Sequence, residues 1–111
     1  MTSFIIHGEN TRASRQKLYE IRNSFDSSLV SNVSLEDGIS LENQMFIQPL
    51  VAVFEFFEKD QLRKIDAEKL FDDIKRNGKD LTVILWFGFE LTSSNKVLAE
   101  SRKNSFAELK F

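Results

Sequence analysis

The first turn of the chain has the position of a phosphate-binding loop but not its residues. Residues 4–6 form a short apolar run, which is typical of a buried strand, and the turn at Gly8 follows it. A phosphate loop needs a second glycine, a lysine and a hydroxyl residue in the spacing G-x-x-x-x-G-K-[ST]. Counted from Gly8, those places hold Ala13, Ser14 and Arg15. We therefore expect a capped helix start here and no nucleotide cofactor.

Two other patterns suggest catalysis or metal binding, and each has a simpler interpretation. Glu55 and Glu58 resemble the acidic pair that holds magnesium in an ATPase, but Phe56 and Phe57 intervene, so we interpret them as a solvated strand end. His7 is the single histidine and could form an acid/base couple with Glu55. The alternative is a hydrogen-bonded structural histidine, because no nucleophile signature accompanies it. We predict no catalytic residue and no metal ligand.

The remaining candidate site is an apolar pair. Met45 and Phe46 follow the polar residues 42–44 and precede Pro49. Such a pair can project from the surface and fill the pocket of a partner protein. It can equally pack onto the sheet, and the periodicity of the sequence leaves both interpretations open.

Alternating apolar runs and amphipathic segments predict the elements that position these residues. The predicted strands cover residues 4–6, 29–35, 50–57, 81–87 and 106–111. Predicted helices begin at Asn10 or Thr11, at Ser40, after Asp66 and at Ser93 or Ser94, with a shorter helical piece at 60–65. This order favours parallel βαβ crossovers. We therefore predict an α/β fold: a three-layer, Rossmann-like or P-loop-like domain with a five-stranded, mainly parallel sheet and helices on both faces.

Composition narrows the class of protein. A length of 111 residues fits a single domain over 1–111 with one ordinary core. The 15 basic and 17 acidic residues leave a net charge of -2, so no overall basic field attracts DNA. The absence of cysteine removes disulfide and thiol chemistry and favours a cytoplasmic location. The longest apolar run, residues 83–87, is too short for a membrane span.

Three segments of the chain resemble one family, the N-terminal domain of the delta subunit of bacterial DNA polymerase III, a component of the sliding-clamp loader. The segments are FIIHGEN followed by the basic stretch RASRQKL, then MFIQPLVAVFEF, and finally LTVILWFGFEL followed by a helix and FAELKF. The resemblance covers nearly the whole chain. This family has an AAA+ type domain whose phosphate loop has decayed, and residues 8–15 resemble such a remnant.

The resemblance implies a domain that hydrolyses no ATP and binds the clamp as a subunit of a DNA-directed DNA polymerase. An apolar pair ahead of the third strand would fill the clamp's pocket, and Met45 and Phe46 occupy that place. The family's clamp-binding stretch often begins with a glutamine five residues before the phenylalanine. Here that position is Leu41, and Gln44 lies within the same stretch.

The resemblance also implies partners beyond this chain. Two further domains would join the other clamp-loader subunits, so we expect the sequence to be a fragment of a longer protein that contacts DNA only indirectly and no membrane. Two alternatives stay open from the residues alone. One is a small α/β enzyme that uses His7 and Glu55, and the other is a degenerate AAA+ adaptor unrelated to replication.

Overall fold

The fold is built on a parallel sheet of five strands. The computed structural model describes residues 3–33, 51–76 and 81–111. The strands are β1 Phe4–His7, β2 Val30–Asn32, β3 Val51–Phe56, β4 Thr82–Phe87 and β5 Ala107–Lys110. Their order in the sheet is β2-β3-β4-β1-β5, and every neighbouring pair is parallel. The predicted α/β, Rossmann-like class is confirmed.

Three helices connect these strands within the described residues: α1 Thr11–Asn23, α2 Ala67–Arg76 and α3 Lys96–Lys103. Asn10 caps α1 as predicted, because its side chain accepts a hydrogen bond from the Ala13 N–H at 3.0 Å. The predicted serine cap of α3 is wrong. Asn95 caps that helix, and its Oδ1 accepts from the Val97 N–H at 2.8 Å. Ser93 and Ser94 form the turn before it.

Other boundaries differ in detail from the prediction. The second strand begins at Val30, because Leu29 ends a short 3₁₀ turn over Ser27–Leu29. The helical piece expected at 60–65 is a 3₁₀ helix over Lys59–Lys64. The helix expected at Ser40 lies outside the described residues.

The core has two parts because side chains alternate between the two faces of a strand. On one face, Ile6 packs with Trp86 and with Leu18 of α1. On the other face, Ile5 belongs to the cluster that includes Leu70 of α2 and Leu98 of α3. All six residues of β4 are buried, as expected for a central parallel strand covered on both faces.

Candidate functional site at the carboxyl edge of the sheet

The crevice of this fold lies where β1 and β4 end side by side. These strands are hydrogen-bonded neighbours, and the helices that follow them, α1 and α3, lie on opposite faces of the sheet. In parallel α/β sheets, ligands bind outside the carboxyl ends of the strands at such a switch point. The loop that begins at Gly8 therefore stands where a nucleotide would be expected.

Three backbone N–H groups of this loop are already engaged across the crevice or in the helix cap. The Gly8 N–H donates to the Phe89 carbonyl at 3.3 Å, and the Asn10 N–H donates to the Phe111 carbonyl at 3.2 Å. The Ala13 N–H donates to the Asn10 side chain. Free N–H groups at such positions are what hold a phosphate in nucleotide-binding proteins. A phosphate could use these three N–H groups only by displacing their present hydrogen bonds.

Gly8 allows the backbone at the end of β5 to pack closely against the loop. Its φ is +140°, a conformation that residues with a Cβ rarely adopt. A Cβ at this position would also overlap the backbone carbonyl of Phe111. Across the crevice, the Thr11 hydroxyl donates to the Gly88 carbonyl at 2.9 Å. The glycine of the predicted loop remnant thus lets a neighbouring strand approach, and the crevice is bridged by the protein's own backbone.

His7 is a hydrogen-bonded structural residue. Its side chain is 1% exposed, and Nδ1 accepts a hydrogen bond from the Leu91 N–H at 3.1 Å. Since Nδ1 accepts, the ring proton lies on Nε2, which faces the Glu108 carboxylate at 3.4 Å. Arg102 donates two hydrogen bonds to the same carboxylate, at 3.1 and 3.0 Å. Burial would raise the pKa of Glu108, but the hydrogen bonds from Arg102 and His7 outweigh it and hold that pKa below its ordinary value.

The acid/base couple considered as an alternative for His7 and Glu55 does not form. Glu55 is aligned with Trp86 across β3 and β4, and Trp86 is aligned with Ile6 across β4 and β1, so these three side chains lie on the α1 face of the sheet. His7 is one residue beyond Ile6 and therefore points to the opposite face. The enzyme hypothesis built on this pair has no support in the geometry.

Glu55 instead faces two arginines of α1. Its Oε1 lies 3.6 Å from Nη2 of Arg15 and 3.8 Å from Nη1 of Arg22. The Arg15 guanidinium lies among three aromatic rings, 4.7 Å from the centroid of Trp86, 5.0 Å from that of Phe57 and 5.2 Å from that of Tyr19. Sequence reasoning missed this cluster. The sequence offered one sign of it: Arg15 occupies the hydroxyl position of the phosphate-loop pattern, and the chain has a single tryptophan, Trp86.

The predicted clamp-binding residues Leu41, Gln44, Met45 and Phe46 lie outside the described residues, so their role stays a prediction. Glu58 is exposed, and its backbone N–H donates to Gln61 at 3.0 Å. Over 3–33, 51–76 and 81–111, no group of three or more acidic or histidine side chains is arranged to hold a metal ion. In the same ranges no helix has the length and apolar character to cross a membrane.

Comparison with known proteins adds no assignment: no family model, curated protein or solved structure matches the chain. Fold and site together define a parallel α/β domain whose ligand crevice is occupied by its own backbone.

Proposed function

We propose that this chain is a non-catalytic domain of a bacterial DNA polymerase III clamp loader, in which it binds the sliding clamp and helps to open it. One observation carries the proposal: the loop after β1 has the position of a phosphate loop, while its N–H groups at Gly8, Asn10 and Ala13 are bonded within the protein. A nucleotide-binding layout with these donors engaged, and without the lysine and hydroxyl residue of a phosphate loop, is suited to protein contact rather than to ATP hydrolysis.

The segments that carry the resemblance also belong together in space. FIIHGEN contains β1 and its turn, MFIQPLVAVFEF ends with β3, LTVILWFGFEL contains β4 and the loop after it, and FAELKF contains β5. These four strands are adjacent in the sheet, and β1, β4 and β5 end at the bridged crevice. The likeness to the delta subunit therefore rests on one connected part of the fold, which supports reading the segments as a unit.

The clamp contact is assigned to Met45 and Phe46, with Leu41 and Gln44 in the same stretch. Burying a methionine and a phenylalanine in a pocket contributes about 1.5–3 kcal/mol each. The loss of both is enough to abolish an interaction of micromolar affinity. Clamp binding that is tighter for the open ring than for the closed ring would shift the clamp toward opening.

Calorimetric titration with the sliding clamp of the same organism tests the proposal. We expect the wild-type chain to bind, and the double variant Met45→Ala with Phe46→Ala to lose binding while keeping its melting temperature. Phe111→Ala is the matched control, since it removes a phenylalanine side chain that is 37% exposed and lies outside the stretch assigned to the clamp. That control should bind as the wild type does.

Three results would contradict parts of the proposal. A wild-type chain that does not bind the clamp removes the replication role and favours an adaptor of another system. Equal clamp affinity of the wild type and the double variant makes the assigned contact wrong. A melting temperature lowered by many degrees in the double variant means that Met45 and Phe46 pack onto the sheet.

A further inference from the structure

A second surface of the domain has the composition of a protein-binding site. It consists of Arg15, Tyr19 and Arg22 on α1 with Glu55 and Phe57 at the end of β3, and we call it the arginine–aromatic patch. Trp86 lies beneath it, with its ring 4.7 Å from the Arg15 guanidinium and 5.1 Å from the Phe57 ring. Because Trp86 is buried, the patch has a fixed base.

The two arginines of the patch have unused hydrogen-bond donors. The distances of 3.6 and 3.8 Å to Glu55 allow ionic attraction but are too long for hydrogen bonds. Among the described residues, neither Arg15 nor Arg22 donates a hydrogen bond to any acceptor. Nη1 of Arg15 is buried and has no hydrogen-bond partner within the described part of the domain, because the guanidinium lies against aromatic rings. Nη2 is the group of Arg15 that faces Glu55.

The exposed rings of the patch lie beside these donors. Tyr19 is 45% exposed and Phe57 is 53% exposed, and both contact the Arg15 guanidinium. They are two of the three large apolar side chains that are exposed in the described part of the chain. Arginine and aromatic residues are enriched in the parts of protein interfaces that contribute most to affinity. The patch is therefore built for contact with an apolar surface that also carries an acceptor.

The local charge decides the class of partner. A nucleic acid needs several cations that its phosphates can neutralise. Here Glu55 already lies between the two arginines, Lys17 is paired with Glu20 at 3.5 Å, and the whole chain has a net charge of -2. One carboxylate with apolar neighbours suits this surface better than a chain of phosphates.

We propose that the arginine–aromatic patch docks a segment of a partner protein in which an acidic residue is flanked by apolar residues. The carboxylate of the segment accepts hydrogen bonds from Arg15 and Arg22, and its apolar neighbours cover Tyr19 and Phe57. Glu55 neutralises the two arginines in the free domain and repels the incoming carboxylate. None of the residues of the patch belongs to the predicted clamp contact at Met45 and Phe46, so this proposal stands independently of clamp binding.

Nuclear magnetic resonance of the full ¹⁵N-labelled chain tests the proposal with defined probes. The probes are the peptide acetyl-Leu-Asp-Leu-amide, the same peptide with asparagine in place of aspartate, and a ten-residue oligothymidylate. The indole N–H of Trp86 is a direct reporter, because the chain has one tryptophan and this group donates to the Ser14 hydroxyl at 3.2 Å below the patch. We expect the acidic peptide to shift this resonance and the neutral peptide to bind at least about tenfold more weakly, as for the loss of a charge-assisted hydrogen bond.

The variants give effects of opposite sign. Glu55→Gln should tighten binding of the acidic peptide, because it removes the competing carboxylate, and should not change binding of the neutral peptide. Arg15→Gln should remove the preference for the acidic peptide. Phe57→Ala, which truncates an exposed ring, should weaken both peptides while the fold stays intact. Arg76→Gln removes an exposed arginine of α2 on the other face and serves as the matched control without effect.

Several outcomes would overturn the proposal. These are equal affinity for the two peptides, unchanged or weaker acidic-peptide binding in Glu55→Gln, and tighter binding of the oligothymidylate than of the acidic peptide. If Arg15→Gln fails to fold, Glu55→Gln and Phe57→Ala still decide the question. Arg15→Gln should leave the affinity for the clamp unchanged. Failure of the peptide-docking proposal can therefore be distinguished from failure of the proposed clamp contact.

Discussion

Gly8→Ala tests whether the crevice is closed by the approach of β5. The native φ of +140° costs a residue with a Cβ about 1–3 kcal/mol. The added Cβ also overlaps the Phe111 carbonyl, which accepts from Asn10, while the Phe111 N–H donates to His7 at 3.0 Å. Losing these two hydrogen bonds costs about 0.5–1.5 kcal/mol each.

Taken together, the substitution should lower the free energy of unfolding by about 2–6 kcal/mol. For a domain of this length, that corresponds to a melting temperature lower by about 4 °C for each kcal/mol. Thermal unfolding followed by circular dichroism measures the change, and urea titration gives the same comparison if heating is irreversible. The expected drop is several times larger than the error of either method.

Gly88→Ala is the matched control on the neighbouring strand. A Cβ at Gly88 would lie 3.1 Å from the end of the Trp86 side chain, and its φ lies outside the range that disfavours a Cβ. A small shift of that ring relieves the contact, so we expect a loss of only about 1 kcal/mol. Equal destabilisation by the two alanine substitutions would refute the argument that Gly8 is required by its φ and by the approach of Phe111.

Three further predictions follow from the crevice and from His7. His7→Ala should cost about 2–4 kcal/mol in urea unfolding, because it leaves the Leu91 N–H buried without an acceptor and removes a partner of Glu108; a loss below 1 kcal/mol would make the structural role wrong. Because the folded-state pKa of Glu108 is below its ordinary value of 4.5, its contribution is fully present above that pH and is lost as pH falls through the lower folded value. Urea unfolding from pH 6 to 3 should therefore show less acid destabilisation in Arg102→Gln than in the wild type, and identical profiles would contradict the network. Finally, millimolar Mg-ATP should leave the wild-type melting temperature unchanged, whereas an increase of several degrees would show nucleotide binding and refute the bridged crevice.

Local patterns in the sequence were sufficient for most elements of the described residues, although not for all of their boundaries. The apolar runs at β1, β3 and β4 predicted buried parallel strands, since strands covered on both faces lack polar alternation. Asn10 was recognisable as a cap, because a side-chain acceptor just before an amphipathic segment satisfies the first N–H groups of a helix. The cap of α3 was predicted one or two residues too early. Serine and asparagine cap helices about equally well, and Ser93, Ser94 and Asn95 are consecutive in the sequence.

Long-range contacts in the site were not predictable in this way. His7 meets Glu108, 101 positions away, and Arg15 meets Trp86 and Phe57, which are distant in sequence. These side-chain contacts depend on which strands are neighbours and on the register between them. A shift of one residue in register would turn each side chain to the other face of the sheet. The pairing of His7 with Glu55 was plausible from residue types alone, and the alternation of faces excludes it.

The sequence by itself determined the class of fold and the lack of a phosphate loop, because strand periodicity, helix caps and the identities of residues 13–15 are local properties. Tertiary structure decided the order β2-β3-β4-β1-β5, the insertion of the Phe111 backbone against Gly8 and the arginine–aromatic patch. Each of these depends on burying apolar surface between elements that are far apart in the chain. The free energy gained by this burial arises only when the whole sheet is assembled, and no single segment supplies it.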